Sequence, residues 1–158
     1  MSESVKKDTV VIGGGQAGLT ASYFLTQQDR DHVVLEKGDR ISEAWRRRWD
    51  SFTLVTPNWM LDLPDHPYRG EDPDGYLHRD EVVSYVEDFA ARFDPPVAFG
   101  TGVSRLQRDE ERDVYRIEVG GRHYETPNAV VAVGTFQRPR IPDFAARVPA
   151  AITQLHSS

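Results

Sequence analysis

Residues 10–19 read Val-Val-Ile-Gly-Gly-Gly-Gln-Ala-Gly-Leu, and a second apolar run, His32 to Leu35, leads into Glu36. Gly13, Gly15 and Gly18 fit G-x-G-x-x-G between a β-rich segment, Thr9 to Ile12, and a helical segment, Gln16 to Gln28. Each glycine answers a different steric demand. The first permits a sharp turn out of a strand, the second close approach of backbone to a pyrophosphate, and the third tight packing of helix on strand. The helix N-terminus then offers free N–H groups and a positive dipole end. A carboxylate at the end of the second strand suits a ribose diol, and Glu36 stands near the spacing of about 20 residues expected for it. The segment therefore reads as a βαβ unit that binds a dinucleotide. A carboxylate at Glu36 also opposes a 2′-phosphate in this site.

Composition narrows the class. At 158 residues, with 39% hydrophobic and 28% charged residues, the chain suffices for one domain with a real core. It lacks the run of about 18 apolar residues that a membrane span requires. Met1 to Asp8 has no apolar core of the signal-peptide kind. A cytoplasmic location without membrane association is the expectation. The absence of cysteine removes disulfides, thiolate metal sites and redox dithiols from these residues. A net charge of −6 argues against nucleic acid as partner.

Further along, Trp45 and Trp49 stand four apart, the spacing of one helix face. Residues 51–78 form a long irregular stretch rich in Pro, Asp, Gly and aromatics, and such loops are usually functional. Val82, Val83, Val86, Phe89 and Phe93 recur at helical spacing, with Asp80 as the expected N-cap and Pro95-Pro96 as the stop. Strands are expected at Val97 to Phe99, Val103 to Arg108, Val114 to Val119 and Arg122 to Thr126, with Gly120-Gly121 as a hairpin turn. Ala129 to Val133 is a continuous apolar run, the pattern of a strand buried on both faces. The histidines at 32 and 123 flank strands and are expected at the surface, and His78 reads as a loop residue. Asp62, Asp65 and His66 carry no metal-ligand spacing because Pro64 interrupts them, so no metal is expected. Gly100-Thr101-Gly102 is a turn, since Arg105 replaces the third glycine of a phosphate loop.

The expected fold is α/β: a Rossmann-like, three-layer FAD/NAD(P)-binding fold with a parallel sheet and a small antiparallel meander. A meander in place of a crossover helix is the layout of flavoproteins that bind two dinucleotides. The chain resembles the N-terminal FAD-binding part of the flavin-containing monooxygenase superfamily. That group includes Baeyer–Villiger monooxygenases and bacterial flavoproteins labelled as potassium-transport proteins. The resemblance rests on VVIGGGQAGL (10–19), VLEKGDRISEAWRRRWDSFTLVTP (34–57), YLHRDEVVSYVEDFA (76–90) and VVAVGTFQRPRIP (130–142), and covers essentially the whole chain.

It implies an NAD(P)H-dependent flavoprotein monooxygenase or oxidoreductase acting on a small-molecule substrate. Gly13, Gly15, Gln16, Ala17 and Gly18 would hold the FAD pyrophosphate and Glu36 the adenosine ribose. Lys37 and Val103 would flank the adenine. Trp45, Arg46 and Thr56 would lie toward the flavin, and Gly134 would pass close to the cofactor. Asn58 is the candidate catalytic residue, one place later than the family's catalytic Asn. Other departures are Val133 in the Ala-Thr-Gly motif (Ala132-Val133-Gly134) and Ala150 and Ile152 in the F-x-G-x-x-x-H signature that His156 would end. In this family a second G-x-G-x-x-G unit binds NADPH further on, and a returning segment completes the FAD domain. Residues 1–158 are thus expected to be the N-terminal portion of such a protein, inactive alone. A non-catalytic dinucleotide-binding module, half of a split protein, and a flavin disulfide-reductase-like enzyme are the alternatives.

Overall fold

A computed structural model describes residues 4–135 and 140–155. The chain opens with β1 (Ser4–Lys6) and β2 (Thr9–Ile12), followed by helix α1 (Gln16–Gln27) and β3 (His32–Leu35). A single turn, α2 (Glu43–Arg46), and a 3₁₀ turn, Asn58–Met60, precede a short hairpin of β4 (Asp62–Leu63) and β5 (His66–Pro67). Helix α3 (Arg79–Ala91) leads to β6 (Val97–Ala98), then β7 (Val103–Asp109), β8 (Val114–Val119), β9 (Arg122–Thr126) and β10 (Asn128–Val131). A 3₁₀ turn, Asp143–Arg147, follows.

The parallel sheet has the order β10-β2-β3-β6. In order of appearance its strands run third, second, first, fourth from the far edge, the order of a doubly wound half-fold. Residues of β2 alternate between two layers. Val10 and Ile12, with Val33 and Leu35, pack on Ile117, Val119 and Tyr124 of the meander. Val11 turns the other way, toward Gly18 of α1. On that side Leu19 and Tyr23 of α1 join Val86, Phe89 and Ala90 of α3. The three-layer expectation holds: meander, parallel sheet, helices.

Several local expectations are corrected. β1 has no counterpart in the sequence reading; it adds parallel to β9 at the edge of the meander sheet, with Val5 opposite Tyr124. Asp80 is not the cap of α3. The cap stands two residues earlier, at His78, and the Glu81 carboxylate accepts the His78 N–H at 2.8 Å. Helix α2 ends at Arg46, so Trp45 and Trp49 do not share a helix face. β10 is half-exposed rather than buried on both faces, because it is the sheet's edge strand and ends at Val131. His32 and His123 are both buried. The His32 Nδ1–H donates to the Arg30 carbonyl at 2.8 Å, and its Nε2 lies 2.8 Å from the Ser22 hydroxyl. Those partners make burial of the ring affordable.

Candidate functional site: a glycine loop at the switch point of the parallel sheet

In open α/β sheets, ligands sit beyond the C-terminal ends of the strands, where strand order reverses. Here that point lies between β2 and β10. The loop after β2 carries Gly13 and the loop after β10 carries Ala132 and Gly134. The Ala132 N–H donates to the Ile12 carbonyl at 2.8 Å, and the Gly13 N–H to the Leu35 carbonyl at 2.9 Å. These bonds carry the sheet pairing up to the edge of the site.

The three motif glycines separate by environment. A Cβ on Gly13 would stand 2.4 Å from the Ala132 carbonyl oxygen, and φ there is +106°. A Cβ on Gly18 would stand 1.8 Å from the Gly13 carbonyl oxygen. A Cβ on Gly15 would meet nothing within 4 Å. Packing of the chain on itself therefore requires the first and third glycines and makes no demand on the second. Open space beside Gly15 is where a ligand's backbone contact would fall. Helix α1 starts there with Gly15 as N-cap, with no side-chain cap and no acidic residue in its first turn. Gln16 and Ala17 are exposed. An uncapped N-terminus of twelve helical residues presents N–H donors and a positive dipole end to an anion. From Gln16 a shallow depression of about 460 Å³ runs along α1, lined by Thr20, Phe24, Leu63 and Asp65 among others.

Glu36 directly follows β3 and is partly buried. Its Oε2 accepts the Gly14 N–H at 2.7 Å and its Oε1 accepts the Gly38 N–H at 2.6 Å. The carboxylate thus faces the glycine loop, and each oxygen keeps a further lone pair for a hydroxyl. The loop behind it is fixed by the Thr101 N–H to the Glu36 carbonyl and the Gly100 N–H to the Gly38 carbonyl, both at 2.8 Å. Gly100, at φ +65°, makes the turn expected of this glycine pair. The exposed Lys37 lies along Gly102, and Val103 follows at the start of β7. Glu43, whose carboxyl Arg47 and Arg40 hold below its ordinary range, packs behind Gly38. Glu36 and Lys37 therefore stand beside the 100–102 turn that leads into Val103.

The residues expected toward the flavin are placed differently. Trp45 bridges two core clusters, touching the α1–α3 cluster and the Phe52–Leu54–Val82 cluster. Arg46 pairs with Glu87 of α3. Trp49 is 46% exposed and meets Phe52 edge-on. Thr56 is half-buried in the long loop.

Asn58 is buried at 2% exposure, and both ends of its amide are committed to backbone. Its Nδ2 donates to the Asp72 carbonyl at 2.9 Å, and its Oδ1 accepts the Leu77 N–H at 2.7 Å. This tie, missed by the sequence reading, fastens the early part of loop 51–78 to its later part, while the Leu54 N–H to Leu77 carbonyl and Arg79 N–H to Phe52 carbonyl bonds join its ends. The Asx preference for bonding nearby backbone was the available signal, but its partners lie too far along the chain for a spacing rule to find. His156, the expected end of the degraded signature, falls outside the described residues. Among the described residues no group of three or more His, Asp or Glu could hold a metal ion, and no helix is long and apolar enough to cross a membrane.

A parallel sheet of this order, with a glycine loop at its switch point and a carboxylate directly after the next strand, defines a dinucleotide-binding fold. The chain belongs to the pyridine nucleotide-disulphide oxidoreductase family, whose sequence pattern matches residues 10–156. Over 151 residues it is 38% identical to an uncharacterized CzcO-like oxidoreductase of Geobacillus kaustophilus, covering 96% of this chain and 42% of that protein. It is 32% identical to the rice indole-3-pyruvate monooxygenase YUCCA1, covering 94% of this chain and 37% of that protein. The structure of a flavin-containing monooxygenase from Stenotrophomonas maltophilia superposes with a TM-score of 0.78 at 29% identity, over 88% of this chain and 42% of that one. The resemblance to flavin monooxygenases seen in the sequence thus stands. The chain spans less than half the length of the relatives it matches.

Proposed function

We propose that this chain is the FAD-binding, N-terminal part of an NAD(P)H-dependent flavoprotein monooxygenase or oxidoreductase, and that it grips FAD at the adenosine and pyrophosphate end. The observation that carries this reading is the open side of Gly15 at an uncapped helix N-terminus, next to the Glu36 carboxylate. That cradle fits the group. The N–H groups of Gly15, Gln16 and Ala17 would meet the pyrophosphate, and Glu36 would accept hydrogen bonds from the ribose hydroxyls. Gly13 and Gly18 let loop and helix close up beneath it. Lys37 and Val103 would flank the adenine, and Gly134 would border the pyrophosphate from the β10 side. Bound flavin supplies the redox chemistry, and the protein holds and orients it.

Toward the ring, the chain's own residues support less. Arg46 is occupied by Glu87, Trp45 by the core and the Asn58 amide by backbone, so no side chain here is assigned as catalytic acid or base. Thr56 remains the candidate for a ring contact. NADPH and a small-molecule substrate are proposed for the whole protein, in a cytoplasmic setting, with no nucleic-acid or membrane partner. The test is titration of the purified chain with FAD and with ADP, followed by flavin fluorescence and calorimetry. FAD should bind, ADP should compete, and NADPH oxidation should stay at background. Absence of both FAD and ADP binding would overturn the proposal.

A second reading is a dinucleotide-binding module with no turnover of its own, supported by the commitment of Trp45, Arg46 and Asn58 to the fold. Brisk NADPH oxidation by the chain would exclude that module. These residues contain no cysteine, which disfavours a dithiol reductase formed from them.

A further inference from the structure

The sequence has two glycines that the phosphate-binding motif does not ask for, Gly14 between the first two motif glycines and Gly38 just after Glu36. Neither has positive φ, so backbone conformation does not explain them. Their surroundings do. A Cβ on Gly14 would stand 3.0 Å from Glu36 Oε2 and 3.1 Å from Glu36 Cβ. A Cβ on Gly38 would stand 3.1 Å from Glu36 Oε1 and 2.8 Å from Glu43 Cγ. The same two residues donate their N–H groups to the two oxygens of that carboxylate, at 2.7 Å and 2.6 Å.

We infer that Gly14 and Gly38 are positioning residues that act through Glu36. Together the three form a carboxylate clip that sets the shape of the glycine loop before any ligand arrives. The inference rests on the FAD-binding reading for its functional consequence, though not for its geometry. Each bond is charge-assisted, hence short and strong. The clip joins the loop after β2 to the loop after β3, the two segments between which the adenosine end would lie. It also fixes the rotamer of Glu36, so that its remaining lone pairs face outward. A site already ordered in its binding shape loses less freedom when ligand binds. A side chain at 14 would crowd Glu36, and one at 38 would crowd Glu43 first and the Glu36 carboxylate next.

The test compares Gly14→Ala with Gly15→Ala, using the backbone amide NMR spectrum of the ligand-free chain and FAD affinity. In G14A the Cβ displaces the carboxylate, so the Gly38 amide resonance should move upfield and its hydrogen exchange should quicken at least tenfold. FAD affinity should fall about tenfold. In G15A the Gly38 amide should stay where it is, although FAD binding weakens. E36D supplies a second route should G14A fail to fold. It keeps the charge but is one methylene too short to bridge both amides, so the Gly14 and Gly38 amides should both lose protection. An unmoved Gly38 amide in G14A or, should that variant not fold, in E36D overturns the clip. Should the wild-type chain bind no FAD, the proposed function falls, and the ligand-free NMR comparison still decides the clip on its own.

Discussion

β2 and β10 are neighbours in one parallel sheet and look alike in sequence, Thr-Val-Val-Ile against Asn-Ala-Val-Val. All four residues of β2 are buried, whereas Val131 of β10 is 59% exposed. The difference lies in position. β2 has a strand on each side, the meander below and α1 above, while β10 pairs only with β2. The apolar residues that follow, Val133, Ile141, Phe144, Ile152 and Leu155, also face solvent. Apolar sequence thus states what a strand tolerates, and the neighbours decide what it buries.

The sharpest way to break this contrast is to place a charge in each strand. Val11→Asp should abolish folding, since an unpaired buried carboxylate costs several kcal/mol, a large share of a domain's total stability. Val131→Asp should lower the unfolding free energy read from urea titration by about 0.5 kcal/mol or less. Similar losses in the two variants would refute the inner–edge distinction. The same logic separates the glycines at the end of β2. Gly18→Ala drives a methyl into the Gly13 carbonyl, and a strain of about 1–3 kcal/mol outweighs the roughly 1 kcal/mol that Ala gains over Gly in a helix. Gly15→Ala should leave thermal unfolding unchanged while weakening FAD binding at least about tenfold, or about 1.4 kcal/mol.

Loop 51–78 is the intermediate case, ordered by a buried polar tie in addition to apolar contact. Asn58→Ala strands the Leu77 N–H and the Asp72 carbonyl, and should lower stability by about 2 kcal/mol. Proteolysis confined to this loop would be its signature. The smallest effect belongs to the meander's surface. Arg112 grips Glu125 through two bonds at 2.7 and 2.8 Å and holds its carboxyl down to about 2 from an ordinary 4.5. The depressed value means that the pair's stabilisation is complete above about pH 4.5 and fades as pH falls toward 2. Glu125→Gln should flatten that limb, changing the difference between the urea-derived unfolding free energies at about pH 5 and about pH 3 by under about 1 kcal/mol, because Arg112 is largely in water.

What the sequence made legible follows a physical line. Val114 to Val119 alternates because one face meets the core and the other water, so local pattern carried the strand. The glycine loop and Glu36 were readable because their demands are steric and close in sequence. β1 was not, since three residues gain strand character only from β9, more than a hundred positions away. Helix α2 was over-extended because a charge run with tryptophans resembles an amphipathic helix until the chain turns toward Phe52. The Asn58 tie, the burial of His32 against Ser22 and the Glu36 clip depend on bonds across the fold, which no local period records.

The pairing of Ser4 with His123 and of Lys6 with Glu125 has a consequence for assembly in time. β1 finds its partner only once β9, more than a hundred positions further along, is in place. Contacts of such long sequence separation slow folding. Both sheets should therefore be completed late, since β10 joins β2 across the same separation, Asn128 to Thr9, and the glycine loop, which packs on Ala132 beyond β10, takes its final shape with them.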